Sequence, residues 1–429
     1  MKDKLAQLKQ HPKYDSILNW GKLISITGGA QIILQAVGFA SGILIIRLLP
    51  VQEYALYTLA NTMLGTMTVL ADGGISSGVM AQGAKVWQDK EKLGSVLATG
   101  LDLRRKFAIG SLIVATPILI YLLFHNGASW LTTLLIIASL IPAFFAALSD
   151  TLLEIVPKLH QDILPLQKNQ VVVGLGRLLL TGLTMFIFPW TFVAILANGI
   201  PRIYGNIKLR KIAHSFVDKN QPPDLGIQAE IMQMVKKILP GAIYYCVSGQ
   251  ITIWFISIFG KTESVAQLGA LGRFAILLSL FSVLISTLVI PRYARLLENK
   301  VLLFKRFIQI FFSLIILICF ILILVYLFSD QLLWVLGKNY YGLKSELILS
   351  IVGTCIGLIG GVFFLLYTSR GWVINPLFSI SISLMSIGIG AFLFNVGTLN
   401  GVLIFNIFLA IIQVILHGGY CLIKIIDIK

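Results

Sequence analysis

About twelve apolar stretches, each near 20 residues, divide this chain, and Lys and Arg crowd into every second gap between them. At 1.5 Å rise per residue, about 20 helical residues cross a hydrocarbon core of roughly 30 Å. The backbone polar groups of such a stretch must be satisfied within the segment, so the spans are helices. The expected fold class is therefore an all-α polytopic membrane protein with about 12 transmembrane helices. With 57% hydrophobic and 12% charged residues and a mean hydropathy of +0.90, the chain has too little polar surface to cover a soluble core.

The net charge of +16 is compatible with nucleic-acid binding, but its distribution points elsewhere. About 28 of the 34 Lys and Arg fall in the N-terminal tail, the even-numbered loops and the C-terminal tail, and about four on the other side. That bias of roughly seven to one places both termini in the cytoplasm. The four cysteines, Cys246, Cys319, Cys355 and Cys421, lie in or at the end of apolar spans without metal spacing and read as small hydrophobes. A polar segment of about 20 residues precedes the first span, which is too long for a signal-peptide core.

Six spans fall before residue 205 and six after 237, separated by the longest basic loop, which contains Pro222-Pro223. The organisation expected is an N-terminal six-helix lobe over 1–205, a cytoplasmic linker over 206–236 and a C-terminal six-helix lobe over 237–429. A weak internal repeat agrees with it. Glu53-Tyr54-Ala55-Leu56-Tyr57-Thr58-Leu59-Ala60 opens the second span, and Ser264-Val265-Ala266-Gln267-Leu268-Gly269-Ala270-Leu271 opens the eighth. Parallel halves related by an axis along the membrane normal place a substrate path between them.

Function must reside in the few polar groups held in lipid. Arg177 is about eight residues into the fifth span and Arg273 about nine into the eighth, so each sits roughly 12–14 Å down. An Arg at a helix centre costs on the order of 2.5–3.5 kcal/mol, so it faces protein or a wet cavity. Asp72 and Asp150 fall near the cytoplasmic ends of their spans as gate candidates, and Glu53 and Glu263 near external helix starts. No acid matches the two arginines at depth, and an anionic ligand is the natural counter-ion. Forked guanidinium donors suit phosphate oxygens. The alternative for each is a bond to backbone carbonyls or a neighbouring hydroxyl.

Polar stripes at helical spacing extend the candidate substrate-binding set. Gln170, Gly174, Arg177, Thr181 and Thr184 share one face of the fifth span. Gln31, Gln35, Gly38 and Gly42 share one of the first, Asn61, Gly65, Thr68 and Asp72 one of the second. Tyr245, Ser248 and Thr252 do so in the seventh, and Asn406, Gln413 and His417 in the twelfth. Such faces line a lumen or join helices, as in the GxxxG match Gly38-Phe39-Ala40-Ser41-Gly42. Catalytic patterns are weak: His160 and Asp162 beside Glu154 lack any HExxH, paired-Cys or nucleophile-elbow context and read as a solvated loop. No enzyme activity, cofactor or metal is expected.

Arg47-Leu48-Leu49-Pro50-Val51-Gln52-Glu53-Tyr54-Ala55-Leu56-Tyr57, followed by Ala71-Asp72-Gly73-Gly74-Ile75, resembles the Wzx-like polysaccharide flippases of the multidrug/oligosaccharidyl-lipid/polysaccharide (MOP) superfamily. The eighth span is similar to that family's pattern too, with Arg273 on its Arg and Pro291 near the exit. The resemblance implies a MATE-like fold of two six-helix lobes around a central cavity. It also implies a bacterial or archaeal cell membrane and a polyprenyl-diphosphate-linked oligosaccharide as cargo. The expected partners are that lipid-linked glycan, membrane lipids, and a glycan polymerase or glycosyltransferases of the same pathway, with no nucleic acid. Two rivals remain: a cation-coupled multidrug exporter, which should keep a deep acidic residue, and a membrane-embedded glycan polymerase or glycosyltransferase, which needs a large external or carboxylate-rich loop.

Overall fold

A computed structural model describes residues 14–428, with side chains from 28 onward. The side chains of Tyr245, Val247, Thr287, Leu288 and Pro291 lie outside the described residues, and with them two of the positions singled out above. The described chain is helical throughout, without a strand. The first half comprises α1 (Tyr14–Leu48), α2 (Val51–Asp72), α3 (Ile75–Val86), α4 (Lys90–His125), α5 (Trp130–Leu153), α6 (Ile155–Leu159), α7 (Ile163–Met185) and α8 (Thr191–His214). The second comprises α9 (Leu225–Phe259), α10 (Thr262–Leu271), α11 (Phe274–Leu288), α12 (Ile290–Ala294), α13 (Lys300–Leu327), α14 (Ser329–Leu336), α15 (Lys344–Thr368), α16 (Pro376–Leu393) and α17 (Leu399–Ile426).

Nine helical stretches among the described residues are long and apolar enough to cross a bilayer. Three more helices, α2, α7 and α8, match them in length at 22, 23 and 24 residues but carry more polar side chains. All three belong to the first lobe. The ends near Lys85, Lys158, Lys208 and Lys300 form one basic face, and the turns at Pro50, Ser129 and Trp190 lie at the far face.

Local chemistry sets several ends. Asp89, Ser129, Asn299 and Thr398 each cap the helix that follows by accepting a backbone N–H of its first turn. After Asp72 the chain turns through Gly73 and Gly74 at φ +49° and +99°, a left-handed pair that re-aims it into α3. The eighth span, read above as one continuous helix, is broken at Gly272-Arg273. There the backbone bonds pass from i−4 to i−3, as in Arg273 N–H to Ala270 and Ile276 N–H to Arg273, so the break keeps its polar groups satisfied.

The linker expected over 206–236 is largely helical. Helix α8 runs on to His214, α9 begins at Leu225, and only 215–224 is irregular. Asp224 caps α9 through Ile227 N at 2.8 Å. Ile227, Ile231, Val235 and Leu239, spaced four apart, bury against a cluster formed by α3, α4, α5 and α8 at the basic face. That apolar stripe keeps the segment helical beyond the lipid. Further along, α9 meets α17, where Thr252 donates to Asn406 at 2.6 Å and Phe255 packs on Phe405.

At the far face the two lobes are joined. Arg47 donates to the carbonyls of Trp334 and Val335 at 2.6 and 2.9 Å and lies over the Trp334 ring. Asn126 donates to Ser257 at 2.7 Å and His125 approaches the Ile258 carbonyl at 3.0 Å. Between these, α2 packs on α10, and the two repeated segments touch at equivalent sixth positions, Thr58 and Gly269. A two-fold axis between parallel halves produces such self-meeting positions.

Candidate functional site

A central cavity of about 610 Å³ lies chiefly in the first lobe and reaches the second at Arg273 and Ile276. It reaches from Tyr57 and Arg273, toward the far face, to Glu154 and Leu209 near the basic ends of α5 and α8. Its walls come from α1, α2, α5, α7 and α8, with Arg273 and Ile276 contributed by the second lobe. The three helices too polar to register as spans, α2, α7 and α8, are all among them. Their polarity follows from what they face.

Gln31, Asn61, Gln170, Arg177, Arg273 and Asp150 line this cavity. The Nε of Arg177 is buried without a hydrogen-bond partner. Arg273 sits on the α10–α11 break and reaches across to the first lobe, with its Nε 3.5 Å from the Tyr54 hydroxyl and its Cζ 6.0 Å from the Tyr57 ring centre. A Cβ at Gly42 would stand 3.2 Å from the Arg273 Cδ. Gly42 therefore makes room for the guanidinium, and Gly38, with nothing within 4 Å, faces open space. This GxxxG match serves the cavity rather than a helix contact.

The acids are closer than the sequence suggested. Asp150 accepts from Arg202 Nε at 2.8 Å and from Asn206 at 2.7 Å, and Glu154 accepts from Gln170 at 2.8 Å and Lys158 at 2.7 Å. Glu154, expected in a solvated loop, thus stands on the cavity wall, because the fifth helix and α6 continue past the lipid boundary. A sixth span over 190–205 puts Arg202 at its very end, beside the basic loop; helix α8 runs to His214 and carries Arg202 near its middle. Each wall carboxylate has its own cation, Arg202 for Asp150 and Lys158 for Glu154. Neither Arg177 nor Arg273 has a carboxylate partner among the described residues.

Four other candidates sit elsewhere. Gln35 is half-buried on α1 and does not line the cavity. Thr181 is fully buried between helices, its hydroxyl without a partner. Gln413 donates to Ser383 at 2.8 Å, joining α16 to α17, and His417 meets the Tyr367 hydroxyl at 3.1 Å. The polar groups of the second-lobe stripes thus pair within that lobe, whereas Gln31, Asn61, Gln170 and Arg177 of the first open onto the cavity. Asp72 is paired with Arg104, which is 4% exposed and also donates to the Leu148 carbonyl at 2.6 Å and to Thr151. Ser76 completes the Asp72 shell at 2.6 Å. This network ties α2, α3, α4 and α5 within one lobe, and Asp150 likewise bonds within that lobe. Asn169 and Asn198 also line the cavity; amides scattered along two helices carried no signal until the helices were placed together.

No protein-family model matches the sequence, and no curated protein matches it either. Solved structures do. The fold is similar to that of a structure described as the inward-facing conformation of a multidrug resistance MATE family transporter of the MOP superfamily, with a TM-score of 0.72, 15% identity, and coverage of 92% of this chain and 95% of that one. A structure of the lipid II flippase MurJ in an inward closed conformation aligns with a TM-score of 0.71 and 16% identity over 93% of this chain and 89% of that one. A MOP superfamily transporter from Pyrococcus furiosus, whose binding pocket is described as reversed in polarity, aligns with a TM-score of 0.62 and 16% identity over 96% and 97%. The chain has the MATE-like fold of MOP superfamily transporters and is a multi-pass membrane protein.

Proposed function

We propose that this protein is a flippase that moves a polyprenyl-diphosphate-linked oligosaccharide from the cytoplasmic to the outer leaflet of the cell membrane. The observation that carries this reading is the pair of guanidinium groups, Arg177 and Arg273, in one cavity without a carboxylate of their own. A diphosphate is the complementary charge, and two forked donors on different lobes suit its two ends. Asn61, Gln31 and Gln170 supply amides for sugar hydroxyls, while the prenyl chain stays in lipid. The basic face is the cytoplasmic one by charge bias, so the described state is open inward and joined at the outer face. Because Arg273 belongs to the second lobe and rests on Tyr54 and Tyr57 of the first, cargo bound to it acts on both lobes at once.

The test is translocation of a lipid-linked oligosaccharide in proteoliposomes. Arg177→Ala is expected to lower the rate at least about tenfold at unchanged abundance, by loss of a buried charge contact. Wild-type rates for the variant would remove the central role assigned to this side chain.

Asp150 and Glu154 on the cavity wall favour a second reading, a cation-coupled exporter of cationic drugs. Their pairing with Arg202 and Lys158 weakens it, since a carboxylate already neutralised offers less to a cation. Drug resistance conferred by the protein and abolished by Asp150→Asn would establish this reading instead.

A further inference from the structure

A second hollow, of about 790 Å³, opens on the outside of the first lobe between α1, α7 and α8. Its walls are apolar, with Ile33, Leu164 and Val172 exposed at 47%, 41% and 45%. Lys168, Lys208 and Lys211 stand around it, Lys208 and Lys211 one helical turn apart on α8. All three are exposed, and none is ion-paired among the described residues.

Two buried amides face the same hollow. Gln167 is 7% exposed and Asn169 6%, and the side-chain oxygen of each lacks a donor. The Asn169 amide nitrogen bonds the Gly205 carbonyl at 3.0 Å, which fixes the side chain between α7 and α8. Asn169 lines the central cavity as well. One side-chain layer therefore separates the cavity from this groove.

A groove with apolar walls and three ammonium groups at its rim without carboxylate partners, Lys208 lying over the Tyr204 ring, matches an amphiphile with a phosphate and hydrocarbon chains. We propose that the groove between α1, α7 and α8 is a binding site for an anionic phospholipid of the basic-face leaflet, of the phosphatidylglycerol class. The phosphate meets Lys168, Lys208 and Lys211. The acyl chains lie along Ile33 and Val172. Clusters of lysine beside a span attract anionic lipid. This assignment is independent of the cargo in the central cavity.

The experiment uses the full-length protein in detergent, titrated with phosphatidylglycerol or phosphatidylcholine and read by native mass spectrometry. The triple variant Lys168→Gln, Lys208→Gln, Lys211→Gln should weaken phosphatidylglycerol binding at least about tenfold and leave phosphatidylcholine unchanged. The control Lys236→Gln, Lys237→Gln, Lys305→Gln removes equal charge elsewhere on the basic face and should change binding less than about threefold. Val172→Trp, on an exposed lipid-facing position, keeps every lysine but fills the groove and should exclude the lipid too. An equal loss in the control, or undiminished binding in both groove variants, overturns the proposal. So does photolabelling of the groove by a polyprenyl phosphate that phosphatidylglycerol fails to displace, because the occupant is then cargo.

Discussion

The contact between Thr58 and Gly269 offers a direct handle on the joined far face. A Cβ added at Gly269 would lie 2.5 Å from the Thr58 Oγ1, 2.7 Å from its Cγ2 and 3.1 Å from its Cβ. Both helices are packed there, Thr58 is 7% exposed, and its hydroxyl is held by the Tyr54 carbonyl at 2.9 Å, so it cannot swing away freely. Gly269→Ala therefore overpacks the joined far face, at a cost of about 1–3 kcal/mol. That cost applies only while α2 and α10 touch. In a state parted at the far face the new methyl meets nothing, so the equilibrium between states shifts by roughly 5- to 150-fold toward it. Thr58→Ala in the same chain removes the two shortest contacts and leaves only the 3.1 Å approach, and should restore most of the original balance. Spin labels at Trp130 and Tyr341, exposed far-face positions on the two lobes, report the separation by pulsed electron resonance. A longer distance in Gly269→Ala that shortens again in the double variant is the expected result. An unchanged distribution in a well-folded Gly269→Ala protein would refute the link between this contact and the joined state.

Arg104→Met should lower the thermal stability of the detergent-solubilised protein, by about 3–5 kcal/mol, because Asp72 and the Leu148 carbonyl lose their buried partner; Asp72→Asn in the same chain should recover part of it, and scanning calorimetry or dye-binding melts measure both. Asp150→Ala leaves Arg202 without its carboxylate and should cost about 1–3 kcal/mol in the same melts, less than Arg104→Met because the pair opens onto the wet cavity. Gly42→Leu should displace Arg273 from its slot and reduce cargo binding while leaving the melt within about 1 kcal/mol, since the added atoms enter the cavity rather than the core. In the 215–224 connection, the backbone N–H of Asn220 and the Gln221 amide hold the Asp218 carboxyl below its ordinary range. A depressed native value stabilises the connection above the unfolded carboxyl range and the effect fades as pH falls through the lower native value; amide exchange over 218–224 should accelerate below about pH 4 and not between pH 5 and 8.

How far the sequence foretold this molecule differs by region. Long spans dominated by Leu, Ile and Phe, such as 307–328, announce themselves because so apolar a run suits lipid alone, and α13 covers that stretch to Leu327. The depth of Arg177 was legible for the same reason: charge amid apolar residues is conspicuous. Arg202 and Glu154 were not, because each comes at the basic-face end of an apolar run, where a charge is ordinary until the true helix end is known. Whether α8 stops at 205 or at His214 depends on packing against α5 and α7, a tertiary effect that no local pattern encodes. The break at Gly272-Arg273 was hidden differently: Gly272 weakens a helix, but glycine is common inside membrane spans, and only the reach of Arg273 toward Tyr54 and Tyr57 marks this one as a break. In the second lobe, Gln413 and Asn406 fitted either a lumen or a helix seam, and only the placement of Ser383 and Thr252 opposite them decided for the seam.

The polarity of α2, α7 and α8 bears on how the chain is made as well as on the cavity they line. A segment with several amides and a guanidinium partitions weakly from the translocon into lipid on its own. Helices α7 and α8 follow one another through a turn of a few residues and pack side by side, with Gly205 admitting Val173. They can thus enter the bilayer as a paired hairpin that shields its wet side against α5. The affinity for water that fits these helices to line a wet cavity makes their biogenesis depend on neighbours already in place.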